Sequence, residues 1–196
     1  PIHINDIEPL LKSEGEASEI LFISLRSSSS QVVYNLKTKN IVSIIDSFSS
    51  QPHDIDIIQK KPLLISVFDN NIIKSTQTSK GNKILFIKNL PIIGSENENP
   101  NNLNIYLPNS KNFLDSEISI ETINFSKLKN NLIPQTVTSG LSEYNKKTNT
   151  VIVEESNYGR IFEYAENSNQ IFWTYINSDK QKSKFWRINW SRFYLD

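Results

Sequence analysis

Short apolar runs alternate with polar gaps along this chain, and the gaps are rich in Asn, Ser and Lys. Residues 19–25 (EILFISL) are apolar and lead into a run of serines; residues 31–36 (QVVYNL), a polar turn at 37–40 (KTKN) and residues 40–46 (NIVSIID) follow. Two such runs joined by a tight polar turn predict a β-hairpin. Residues 54–58 (DIDII) alternate strictly, which predicts a half-buried strand. Residues 63–69 (LLISVFD) end at Asn70-Asn71, and 72–76 and 83–88 (KILFIK) continue the pattern. Further strands are expected at 118–125 (ISIETINF), 150–154 (TVIVE), 160–164 (RIFEY), 170–176 (QIFWTYI) and 185–190. Helical spacing is confined to 7–11 and 125–130. Residues 91–112, rich in Asn, Pro and Ser, read as a long polar loop with one short strand at 103–107.

Two segments share one plan. Residues 19–46 (EILFISLRSSSSQVVYNLKTKNIVSIID) and 150–177 (TVIVEESNYGRIFEYAENSNQIFWTYIN) each run strand, polar gap, strand, turn, strand. A repeated three-stranded meander favours radial repetition, so the expected fold is all-β and propeller-like. Blades take about 40 to 50 residues. The 196 residues then form a single domain, a partial ring of about four blades.

Composition agrees with a sheet protein. Ile occurs 28 times, Ser 26 and Asn 24, against 2 Ala. β-Branched Ile suits a pleated surface, Asn and Ser suit turns, and scarce Ala argues against a helical bundle. Lys and Arg number 21 and Asp and Glu 21, so no basic excess points to nucleic acid. The absence of Cys excludes disulfides, thiolate metal sites and a catalytic thiol, and 2 His make a histidine metal site a poor expectation. No apolar run approaches the roughly 20 residues that span a bilayer. Position 1 is Pro and Met is absent, so the chain is expected to be the C-terminal part of a longer one.

The chemistry has few candidates. His3 sits in HIND, His53 in QPHDID and Arg26 in SLRS, each at a strand end or connection. In a propeller such positions can converge on one mouth of the central channel. Two imidazoles and a guanidinium there would hold an oxyanion, and a neutral imidazole can act as nucleophile or base. The plainer reading, in which each His caps a loop or packs in a polar turn, stands beside it. Arg160 and Arg192 are candidates for substrate contact or for ion pairs with Glu154, Glu155 or Glu163. Trp173, Trp186 and Trp190 are expected in the core or between blades.

The ordered set HINDIEPLL, ILFISLRSSS, QPHDIDI, LLISVFDNN, VEESNYGRIFEY, WTYIN and NWSR resembles the arylsulfotransferase-like family. The likeness runs from His3 to Arg192 and is weakest between Ser75 and Val137. It implies a β-propeller that moves a sulfuryl group from an aryl sulfate donor to a phenolic acceptor. No cofactor and no nucleotide sulfate donor would be needed, and the protein would be periplasmic or secreted. Carried over by motif, His53 would be the nucleophile and pass through a sulfohistidine, while His3, Asn5 and Arg26 would hold sulfuryl oxygens. Two departures stand out. Pro52 separates Gln51 from His53, where the family has Gln next to His, and residues 38–46 lack the Trp and Gly usual there. The alternative is a non-catalytic propeller that binds a ligand or protein partner; a third reading gives the sulfuryl group to water.

Overall fold

A computed structural model of the chain describes residues 3–10, 19–45, 48–60, 63–88, 119–129, 132–179, 181, 184–189 and 191. These residues are all-β, with three four-stranded antiparallel sheets. The first sheet is β1 (Ile4–Pro9), β2 (Ile20–Leu25), β3 (Ser30–Asn35) and β4 (Asn40–Ile45), paired in that order. The second is built on β5 (Pro52–Lys60) and β6 (Leu63–Asp69). A small hairpin of β7 (Ile72–Ile73) and β8 (Thr78–Ser79) intervenes before β9 (Lys83–Lys88) and β10 (Ser119–Asn124) complete that sheet in the order β10-β9-β6-β5. The third is β11 (Leu141–Asn145), β12 (Thr150–Glu155), β13 (Arg160–Ala165) and β14 (Gln170–Ile176), again in order. A last short pair joins β15 (Ser178–Asp179) to β16 (Lys184–Phe185).

The sheets stack face to face, and the middle one is buried on both sides. One core joins it to the first sheet through Phe22, Val33, Ile55, Ile65, Val67, Leu85 and Ile87. Another joins it to the third sheet through Phe68, Phe86, Val151, Val153, Phe162 and Tyr164. Strand alternation explains the division: on β6, Ile65 and Val67 point one way and Phe68 the other. A strand covered on both faces has no polar side, which is why LLISVFD and KILFIK read as nearly continuous apolar runs.

Turn chemistry sets the register. Five hairpins, closed by Leu25–Ser30, Asn35–Asn40, Asn145–Thr150, Glu155–Arg160 and Ala165–Gln170, share a four-residue loop. The fourth loop residue is left-handed each time, with φ of 56° at Ser29, 57° at Lys39, 55° at Asn149, 60° at Gly159 and 53° at Asn169. Asn is among the few residues that tolerate this conformation, which favours it there. The loops starting after Asn35 and Asn145 are further fixed by those side chains, which accept hydrogen bonds from the backbone of Lys37, Thr38 and Lys147.

Several sequence expectations change. Residues 7–11 hold no helix as far as they are described: Ile4–Pro9 is a strand paired to β2. The 125–130 helix shrinks to one 3₁₀ turn, Phe125–Lys127, capped by the Asn124 side chain. The expected strand at 72–76 is the two-residue β7, and among the described residues of 185–190 only the end of β16 is strand. Three four-stranded sheets stand where about four blades were expected, and among the described residues they do not close into a barrel or ring. The inserted hairpin and the long stretch separating β9 from β10 take up the length assigned to a further repeat. The loop 91–112 and the strand 103–107 lie outside the described residues.

Candidate functional site

The first strands of the three sheets, β1, β5 and β11, lie side by side and are tied by side chains. The Asp6 carboxylate accepts from Ile55 N at 3.1 Å, and the Asp54 carboxylate accepts from Ser142 N at 2.9 Å. One clamp thus steps from the first sheet to the second and a like one from the second to the third. Both Asp residues sit in an Asp-Ile pair, NDI and HDI. Burial and the neighbouring Asp56 carboxylate push the Asp54 carboxyl well above its ordinary range, and the Ser142 amide opposes this.

The residue before each clamp is displaced from the regular ladder. The register slips between Ile4 and Asp6 on β1 and between Pro52 and Asp54 on β5, which leaves Asn5 and His53 as bulge residues. A bulge re-aims a side chain that strict alternation would have sent elsewhere. Pro52 fits such a place, because it has no N–H to give to the ladder. Asp69, opposite Pro52, accepts from Ser50 N at 2.7 Å and Asn71 N at 3.0 Å and so holds the approach to His53. Burial raises the Asp69 carboxyl to about 6, against the pull of those two amides and of Lys83.

His53 faces both neighbouring sheets. Its imidazole donates to the Gly140 carbonyl; this bond favours the charged ring, as does the Glu154 carboxylate. Burial and the Arg26 guanidinium act more strongly the other way, with a smaller push from His3, and hold His53 down at about 4. At neutral pH the ring is uncharged. The Gly140 bond then fixes the proton on one of the two nitrogens.

Gly140 must be glycine. Its φ is +146°, and a Cβ there would stand 2.5 Å from the Phe68 ring. The segment leading to it is pinned by amides: Asn70 and Asn82 donate to the Thr136 carbonyl at 3.0 and 2.8 Å, and the Asn157 oxygen accepts from Val137 N and Thr138 N at 3.1 Å.

The structure brings His3, Asn5, Arg26 and His53 into one neighbourhood. His3 Nδ1 and Asn5 Oδ1 are 2.7 Å apart, Asn5 Nδ2 donates to the Pro52 carbonyl at 3.1 Å, and Arg26 N donates to the His3 carbonyl at 3.0 Å. Arg26 opens the loop after β2. One terminal nitrogen donates to the Val137 carbonyl at 3.2 Å, while its buried Nε has no hydrogen-bond partner among the described residues. A buried guanidinium N–H without an acceptor beside a neutral imidazole suits an incoming anion.

Arg160 is elsewhere. It pairs with Glu155, donates to the Leu132 carbonyl at 2.9 Å and lies 5.0 Å from the Phe162 ring centre. It borders a cleft of about 270 Å³ with Ile133, Tyr158 and Phe185. Glu154 and Glu155 adjoin on β12, so they face opposite sides; Arg160 takes the far one. Arg192 and Trp190 lie outside the described residues. Trp173 and Trp186 are 40% and 56% exposed, contrary to the expectation of core packing: Trp173 is on β14, the outer strand of its sheet, and Trp186 follows the short strand β16.

Sequence reasoning missed Gly140 and saw Glu154 only as a possible ion-pair partner. The available signals were one of only 5 glycines and an acid that ends the apolar run TVIV. Compared with known proteins, the chain matches no family model and no curated relative.

Proposed function

We propose that this chain is an aryl-sulfate sulfotransferase-like protein, that its three stacked sheets are consecutive blades of a β-propeller, and that His53 is the nucleophile. One observation carries the reading: a half-buried, uncharged imidazole bonded to the Gly140 carbonyl lies beside Arg26, whose buried Nε has no acceptor among the described residues. The resemblance of the HIND, SLR and HD elements supports it.

The chemistry follows from these groups. In this reading a ring nitrogen of neutral His53 gives its lone pair to the sulfur of an aryl sulfate. The S–O bond to the aryl group breaks, and its electrons leave on the phenolate. Charge grows on the sulfuryl and leaving oxygens, where fixed donors from Arg26, His3 and Asn5 lower the barrier. The acceptor oxygen then attacks sulfur and restores the imidazole, and its proton reaches the released phenolate through solvent. Two half-reactions through a covalent intermediate give ping-pong kinetics.

The test supplies 4-nitrophenyl sulfate and phenol to the chain and to His53→Ala. Turnover lost in the variant is the expected result. Equal turnover, or none in the unaltered chain, would refute the transfer reading and leave a ligand-binding module.

A further inference from the structure

The cleft of about 270 Å³ beside Arg160 has no part in the transfer as written. Its backbone frame is fixed. Asn177 N donates to the Gly159 carbonyl at 2.7 Å and Trp186 N to the Asn177 carbonyl at 2.8 Å, which holds the 3₁₀ turn Ser156–Tyr158, the end of β14 and β16 together. Three of its lining residues, Tyr158, Ile176 and Phe185, nevertheless stay 47%, 49% and 65% exposed. That is apolar area a ligand can cover. An apolar cavity of about 150 Å³ already accepts a benzene, so the space suits one ring and a substituent. The polar groups narrow the choice. Arg160 Nε donates to Glu155 and its Nη2 to the Leu132 carbonyl, while Nη1 makes no hydrogen bond among the described residues and is not shut away from solvent as Arg26 Nε is. Gln135 gives its backbone N–H to Glu155 at 2.7 Å and keeps an exposed, unengaged side-chain amide at the same cleft. Glu155 cancels the charge of Arg160, so an anion would gain little attraction there and still lose its hydration.

We propose that this cleft binds a small, uncharged aromatic amide. Its ring packs against Tyr158 and Phe185, its carbonyl accepts from Arg160 Nη1, and its amide N–H donates to the Gln135 side-chain oxygen. Pairing with Glu155 and Leu132 holds the guanidinium in place, so its remaining N–H is presented without further ordering. The compensated Arg160 selects a neutral ligand, where Arg26, which meets a carbonyl and no carboxylate among the described residues, suits an anion. The binding does not depend on any chemistry at His53.

The test titrates benzamide into the isotope-labelled chain and follows the backbone amide signals by NMR. A dissociation constant of about 1 mM is expected, in keeping with so few ligand atoms. The signals of Tyr158, Arg160 and Phe185 should move while that of His53 stays still. Tyr158→Ala and Phe185→Ala each remove a ring from the cleft and should weaken binding about fivefold. Both side chains are exposed, so the fold does not rest on them. Gln135→Ala should weaken binding about threefold. Benzoate, the same ring with a charged acceptor, should bind about fivefold more weakly than benzamide. His53→Ala should bind benzamide as the unaltered chain does, which separates this site from the transfer reading. No signal movement up to about 10 mM benzamide, equal binding of benzoate, or an unchanged affinity in both ring variants overturns the proposal. Weaker binding in His53→Ala would put the ligand at the other site and overturn it as well.

Discussion

The hairpins β2–β3 and β12–β13 are built on one plan and put their arginines to opposite uses. Each closes a four-residue loop whose last residue is left-handed, Ser29 in one and Gly159 in the other. In β12–β13 the guanidinium of Arg160 is met by a carboxylate, a carbonyl and a phenyl face. In β2–β3, among the described residues, the guanidinium of Arg26 meets the Val137 carbonyl and keeps a buried Nε with no acceptor. Equal local geometry therefore says nothing about role. What differs is the chain packed over each loop, and only the Arg26 loop leaves hydrogen-bonding capacity open beside an imidazole.

The largest test of this contrast is Arg160→Met. It leaves Glu155 buried without its cation, and breaking such a pair costs about 4 kcal/mol. Burial already raises the Glu155 carboxyl, while Arg160 and the Gln135 amide pull it back down. Removing Arg160 raises it further, so the loss should be greatest at neutral pH and shrink in acid, where the carboxyl takes up a proton. Arg160→Met/Glu155→Met should recover most of the loss. Urea unfolding at two pH values checks this. A cost under 1 kcal/mol for the single variant, the ordinary worth of an exposed pair, would erase the distinction between the two arginines.

Gly159→Ala probes the covering chain. A Cβ there would lie 2.1 Å from the Trp186 carbonyl oxygen, a backbone atom that cannot simply rotate away. Strain at positive φ and forced displacement together cost about 3 kcal/mol, near 10 °C in melting temperature for a chain of this size. Ser29 carries a Cβ at the matching position, so no backbone can cross its loop as closely. A melting temperature within 2 °C of the parent would show that residues 184–189 do not bear on this loop.

How far the sequence carried the fold follows from the same packing. Strands buried on both faces, such as β6, β9 and β12, announce themselves by apolar runs. The first strands β1 (INDIEP) and β11 (LSEYN) do not: the Asn5 and Asp6 side chains of β1 serve the second sheet rather than a core, and β11 is a short, largely polar strand tied to the second sheet through the Ser142 backbone amide. They are nevertheless the strands that assemble the site. The motif resemblance groups His3, Asn5, Arg26 and His53, and the structure sets them near one another; the roles it implies belong to the proposal. Gly140 was not, since its necessity comes from Phe68, distant in sequence. Nor was the side on which Glu154 lies, which depends on the register of β12.

Arg26→Met tests the site half of the contrast with a smaller effect. His53, held at about 4, stays neutral in the folded chain while the unfolded chain protonates near 6.5. Stability is thereby lost as pH falls from 6.5 toward 4, by up to about 3 kcal/mol at 1.36 kcal/mol per unit. Without the guanidinium the His53 midpoint should rise and the acid loss should shrink by about 1 kcal/mol. Asp69 gives the opposite slope and serves as a control. Its raised carboxyl makes stability fall as pH rises from about 4 to about 6, so Asp69→Asn should gain in that window relative to the parent. NMR titration of the two imidazoles and urea midpoints from pH 4 to 7 measure both; an unmoved His53 midpoint in Arg26→Met would detach Arg26 from the site.

The smallest effect separates two loops of the same sheet. Lys39 and Ser29 both hold the left-handed position with a Cβ, which costs a non-glycine residue about 1 kcal/mol. Lys39→Gly should therefore stabilise the chain, by somewhat under 1 kcal/mol after the added freedom of the unfolded chain is counted. Ser29→Gly relieves the same backbone but removes a hydroxyl that accepts from Gln51 N at 3.1 Å, just ahead of Pro52 and His53. A lost hydrogen bond of about 1 kcal/mol cancels the gain. Paired denaturation curves should show Lys39→Gly shifted upward and Ser29→Gly unmoved. Equal upward shifts would mean that the Ser29 hydroxyl does not help hold the His53 approach, and that this loop differs from its β12–β13 counterpart through Arg26 alone.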